Sequence, residues 1–101
     1  MYTALSHHGI SIRLTEERWA HIVEEHGELA GMRSGILDTI SAPERIVAGN
    51  TGECLAIRPV SSEKWLVVVY KEDVALRDGF VITAFVTKRI RSLDRRRQVW
   101  P

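Results

Sequence analysis

From residue 9 the chain alternates. In GISIRL, Ile10, Ile12 and Leu14 are separated by Ser11 and Arg13, the period of a short strand or extended lead-in. Thr15 then reads as a helix cap, with Glu16 and Glu17 where the exposed amides of a first turn favour negative charge. The period becomes helical. Trp19, Ile22 and Val23 form one stripe, His26 occupies its next position, and Gly27 stops the helix. His21 falls off that stripe, near Arg18 and Glu25. A second helix is predicted over residues 29–40 from Leu29, Met32, Arg33, Ile36, Leu37 and Ile40, with Pro43 closing the segment. Gly31 and Gly35 weaken it.

Beyond Pro43 the period is that of strands. RIVAGN and ECLAIRPV are joined by NTG, a good hairpin turn, and KWLVVVYK follows after SSE. The loop EDVALRDG leads to a long strand, FVITAFVTKRI. Strict alternation there puts Phe80, Ile82, Ala84 and Val86 on one face and Val81, Thr83, Phe85 and Thr87 on the other. The threonines mark the second face as the less buried one. The pattern predicts a single α+β domain over residues 1–101, with a core at about 10–100 and a mobile start at 1–9. Its two N-terminal helices pack on one face of a four-stranded antiparallel sheet and leave the other face open.

Composition changes this picture little. Hydrophobic residues make up 45% and charged ones 27%, as in an ordinary globular protein. The longest apolar stretch, WLVVVY, is too short to cross a bilayer, and the start lacks the pattern of a secretory signal. Cys54 is the only cysteine, so no internal disulfide and no thiol-rich metal site is available, and a cytoplasmic location is expected.

Charge changes it more. The total is +1, but from residue 88 to the end Lys88, Arg89, Arg91, Arg95, Arg96 and Arg97 face Asp94 alone, a net of +5. The first 87 residues carry −4. A positive edge of this kind favours anions such as a phosphodiester backbone, although a solvated cap anchored by Val99 and Trp100 explains the run equally.

The motifs exclude most large enzyme classes. There is no His-Glu-x-x-His arrangement, phosphate loop or nucleophile elbow, and the adjacent His7 and His8 make no ligand set. No cofactor is implied. The chemistry left needs only a base, an acid and positive charge. Cleavage of RNA by its own 2'-hydroxyl is such a reaction, because the nucleophile is already in the substrate. His26 is the best-placed histidine for the proton transfer, unless it merely caps the helix. Arg58 interrupts an apolar strand and shares a face with the small Cys54 and Ala56; it serves a phosphate or is simply an exposed edge residue. Thr83 and Thr87 can donate to phosphate or reflect strand propensity, and Tyr70 can stack on a base or pack at the core edge. Lys88 and Arg89 stand at the mouth of the sheet, and Arg91, Arg95, Arg96 and Arg97 extend the basic surface.

ISIRLTEERWAHIVEEHGEL, PERIVAGNTGECLAIRPV, KWLVVVYKE and DGFVITAFVTKRIRSL together resemble the small phage-associated domains grouped with barnase, EndoU, colicin-type and RelE-like nucleases, over roughly residues 10–100. The resemblance implies two helices followed by a four-stranded antiparallel sheet. It also implies metal-independent endoribonuclease activity, as a toxin or phage effector restrained by an antitoxin or immunity protein. On that pattern the catalytic residues are His26, Arg58, and Thr87 with Lys88 or Arg89. The alternative is a non-catalytic module that binds nucleic acid or a protein.

Overall fold

A computed structural model describes residues 1–101. Strands β1 (Tyr2–Leu5) and β2 (Ser11–Leu14) precede helices α1 (Glu16–Glu25) and α2 (Arg33–Ser41). Strands β3 (Arg45–Ala48), β4 (Cys54–Ser61), β5 (Lys64–Asp73) and β6 (Asp78–Thr87) follow, and the short helix α3 (Arg91–Asp94) leads to β7 (Gln98–Trp100). All seven strands join one sheet in the order β1-β2-β6-β5-β4-β3-β7.

This corrects the expected architecture of two helices on a four-stranded antiparallel sheet. Three further strands lengthen the sheet, and one pairing is parallel, β2 against β6, so the sheet is mixed. The first nine residues, expected to be a mobile start, contribute β1, paired with β2 through the turn at Ser6–Gly9. Gly9 has a positive φ of 75°, which that turn requires. At the other end Val99 and Trp100 lie against the core, and Trp100 pairs with Ile46. The His7 ring, in the turn after one edge strand, lies 4.8 Å from the ring of Trp100 in the opposite edge strand. The sheet therefore curls until its two edges approach each other around the helices.

The main core lies on the concave side. Ile22 of α1, Ile36 and Ile40 of α2 and Leu29 meet Ile12, Leu14, Ile46, Ala56, Leu66 and Val68 from the sheet, all fully buried or nearly so. The second helix begins four residues later than expected. A 3-10 turn over Gly27–Leu29 comes first, and α2 starts only at Arg33. Leu29 drives that turn by inserting into the core.

A smaller cluster lies on the other face of the sheet: Val47, Leu55, Ile57 and Val67, closed by Leu93 of α3 with Ile90 at its side. The face expected to be open is thus partly covered by the C-terminal segment. A bulge between Val69 and Tyr70 of β5 shifts the register against β6. Strict alternation fails there. Val81 is 2% exposed in the main core with Ala84, whereas Phe80 is 45% exposed on the outer face. Beyond the bulge Thr83, Phe85 and Thr87 share the outer face, opposite Val69, Val67 and Trp65 of β5.

Candidate functional site at the outer face of the sheet

The position of His26 follows from two anchors. Thr15 caps α1 by accepting a hydrogen bond from the Arg18 amide at 3.1 Å. The helix ends at Glu25, and the His26 amide still donates to the Ile22 carbonyl at 2.7 Å. Ile22 before it and Leu29 after it are both fully buried, so the chain at His26 is held from both sides. Its side chain is 33% exposed and makes no hydrogen bond to a backbone carbonyl, so it is not the capping group that its position allowed. Glu28 Oε1 stands 3.7 Å from its Nδ1.

The edge of β6 explains where that ring goes. Strand β2 pairs only with Asp78, Gly79 and Phe80, so the rest of β6 has no strand partner on that side. The end of α1 fills the gap. The His26 ring lies 6.4 Å from that of Phe85, tilted by 40°, on the face that carries Thr83 and Thr87. His21 instead pairs with Glu25 on the surface of α1.

The structure does not bring Arg58 to this face. Arg58 stands opposite Leu66 in β5, and Leu66 belongs to the helix-side core. Arg58 is exposed at the rim of that side, with the sheet between it and Thr87. Its expected catalytic partnership with His26 and Thr87 is lost because period-two alternation gives residues 58 and 87 opposite faces. Tyr70 is also displaced from its expected role. It is 1% exposed, inside the main core, and cannot stack on a base. Burial, followed by the neighbouring Cys54, pushes its hydroxyl well above the ordinary tyrosine range, so it stays protonated.

The basic run divides. Lys88, Arg89, Arg91 and Arg95 are all exposed and line a concavity of about 440 Å³ with Ile90 and Ser92. No acid lines it. The turn is fixed by the Arg89 amide donating to Thr87 Oγ1 and by Ser92 Oγ donating to the Arg89 carbonyl, both at 2.9 Å. Asp94, the run's single acid, is paired with Arg45 of β3 and does not neutralise these cations. Arg96 leaves the group. Its Nη1 donates to the Ala48 carbonyl at 3.2 Å and to Asn50 Oδ1 at 2.7 Å, tying the C-terminal segment to β3. Arg97 is exposed on another side, where its charge is felt by Cys54. The six cations are therefore not one grip.

Between the Gly49–Glu53 turn and α3 the outer face forms a second cleft, of about 380 Å³. Leu55 and Phe85 line its floor, and Asn50, Glu53, Thr87 and Arg96 line its rim. Sequence reasoning passed over Asn50, Glu53 and Phe85, because a hairpin turn and a strand phenylalanine look structural by themselves. The available signal was Gly49. A Cβ there would stand 1.8 Å from Glu53 Oε1, so the glycine leaves room for the folded carboxylate. His8, set aside above as a metal ligand, belongs to a different cluster. Its Nδ1 lies 2.9 Å from Glu72 Oε1, and Ser6 Oγ donates to the other oxygen of the same carboxylate. That cluster stands on the helix side, apart from the outer-face site.

No helix is long and apolar enough to cross a membrane. Comparison with family models, curated proteins and solved structures gives no match.

Proposed function

We propose that the chain is a metal-independent endoribonuclease whose reaction takes place on the outer face of the sheet. The observation that carries this reading is the His26 ring against Phe85, on the face of Thr83 and Thr87 that runs into four unpaired cations. His26 takes the proton of a ribose 2'-hydroxyl. The freed oxygen attacks the adjacent phosphorus and forms the 2',3'-cyclic phosphate while the bond to the 5'-oxygen breaks. Arg89 and Arg91 spread their planar donors over the phosphate oxygens, and Thr87 adds a hydroxyl donor. The leaving 5'-oxygen receives a proton from the Lys88 ammonium, which regains one from water, and His26 releases its own to solvent. Arg58 has no part in this scheme.

Binding without cleavage is the second reading. It is favoured by the separation of Arg58 from His26, which removes one cation from the reacting group. Single-stranded RNA incubated with the protein in excess EDTA separates the two. Cleavage that is lost in His26→Ala, with a DNA strand of the same sequence left intact, is the expected result. Binding of the RNA with no scission rejects the enzyme reading, and so does equal cutting of DNA.

A further inference from the structure

Helix α1 turns Trp19 and Ile22 to the core and leaves its opposite face exposed, with no element packed on it. That face is acidic. Residues 16–28 hold five glutamates, and Arg18 is the one arginine or lysine among them. Three of the glutamates face a basic group: Glu16 the amino terminus, Glu25 His21 and Glu28 His26. Glu17 and Glu24, about two turns apart on one side of the helix, are exposed and enter none of the ion pairs. The helix leads into the His26–Phe85 contact from one side. Strand β6 leads out of it, within three residues, into charge of the opposite sign. Lys88, Arg89, Arg91 and Arg95 are exposed and unpaired, and Asp94 is turned away to Arg45.

We infer that two copies of this chain associate about a two-fold axis beside the His26–Phe85 contact, each laying the acidic face of α1 over the basic turn of the other. Acid and base flank one point, and a two-fold rotation about an axis through that point exchanges the two sides. Each copy then sets glutamates on its partner's cations, and the unlike contact forms twice. Orientations that set like charge on like are repelled, so the same charges fix the register. Val69 and Phe85, partly buried on the outer face, lie between the two charged areas and lose water in the same contact. Exposed ion pairs are individually weak, so the dimer is reversible and sensitive to salt. It covers His26 and the four cations. On the reading that the chain acts on RNA, the dimer is a resting form, and RNA shifts it to monomer by binding the cations that the glutamates would otherwise occupy.

Sedimentation equilibrium of the intact protein over a range of concentrations tests the association without any cleavage step. A dimer is expected at low salt. Its dissociation constant should rise at least about tenfold as the screening length falls from ~30 Å at 0.01 M to ~3 Å at 1 M salt. Glu17→Lys with Glu24→Lys should give a monomer, and so should Arg91→Glu with Arg95→Glu, since each double substitution sets like charge on like. Mixing the two double variants should restore a dimer of one of each, because both contacts are then between unlike charges; that rescue also shows that both variants are folded. A single-stranded deoxy oligonucleotide, which has no 2'-hydroxyl to react, should return the unaltered protein to monomer. Unaltered protein that is monomeric at low salt, or a dimer indifferent to salt or to the oligonucleotide, would overturn the inference. So would reversed variants that still self-associate or that do not pair with one another. The outcome is separate from that of the enzyme reading: a salt-sensitive dimer with no RNA scission keeps the interface and rejects the nuclease, and scission by a protein monomeric throughout does the reverse.

Discussion

His26 and Phe85, fifty-nine positions apart, bring their rings to 6.4 Å across the unpaired edge of β6. That contact joins the end of the first helix to the outer face of the sheet, which the body of the helix never touches. If His26 transfers the proton, His26→Ala should lower the rate of RNA cleavage by about 10²–10⁴-fold, the usual worth of a positioned acid or base. The melting temperature should hardly move, since the side chain is one-third exposed and makes no hydrogen bond to the backbone. A rate loss matched by an equal loss of folded protein would assign His26 a purely structural role.

Arg58 provides the opposite test. It lies on the helix-side rim, across the sheet from Thr87. Arg58→Ala is expected to change the cleavage rate by no more than about threefold, in line with a surface substitution away from special features. A hundredfold drop would mean that the reacting groups assemble on the other face.

The four cations around residues 88–95 should act on affinity. In single-stranded RNA each phosphate neutralised contributes about −0.7 to the slope of log K against log salt. Arg91→Ala with Arg95→Ala should flatten the slope by about 1.4 and weaken binding across sequences alike. Arg96→Ala should behave differently, because its guanidinium ties the C-terminal segment to Ala48 and Asn50. It should lower stability by about 1.5–3 kcal/mol, the range for losing hydrogen bonds to a charged group. Filter binding at several salt concentrations and thermal melts distinguish the two classes.

Gly79 tests the parallel pairing of β2 with β6. A Cβ there would meet Ile12 Cδ1 at 2.5 Å and the Lys71 carbonyl at 2.7 Å. The carbonyl is backbone and cannot move aside without disturbing the pairing of β5 with β6. Gly79→Ala should cost about 1–3 kcal/mol or more through overpacking, and lower the melting temperature accordingly. An unchanged melting temperature would contradict the β2–β6 register.

Cys54 yields a chemical prediction. Burial first, then the Glu72 charge, raises its thiol above the ordinary range, so less thiolate exists at a given pH. Alkylation by iodoacetamide at pH 8 should be slower than for a free thiol and should rise to that rate on denaturation. Rapid alkylation of the folded protein would contradict the packing around Cys54 and Tyr70.

The sequence made local periods legible, and some of the chemistry with them. The Trp19–Ile22–Val23 stripe placed His26 at the end of a helix beside the sheet because a 3.6-residue period needs no tertiary information. What it could not show was pairing between distant segments. β1 and β2 are four residues each, and they join the sheet only through the pairing of β2 with β6, more than sixty positions away. The same limit hid the bulge at Val69/Tyr70, which moves Val81 inward and Phe80 outward. Arg58 illustrates it most plainly. A strand arginine is visible in CLAIRPV, but the face it takes depends on register with β5. The division of Arg95, Arg96 and Arg97 into three destinations was equally illegible, because it depends on how the chain crosses β3 after α3.

The central claim is that the attacking group belongs to the substrate and that His26 takes its proton. Four otherwise deoxy oligonucleotides, each with one ribonucleotide bearing a different base, test it most directly when incubated with the protein in excess EDTA. The account predicts scission only on the 3' side of the ribonucleotide, a 2',3'-cyclic phosphate on the product, and no product from His26→Ala. Scission at deoxy positions, a product ending in a plain 3'-hydroxyl, or undiminished cleavage by His26→Ala would contradict it.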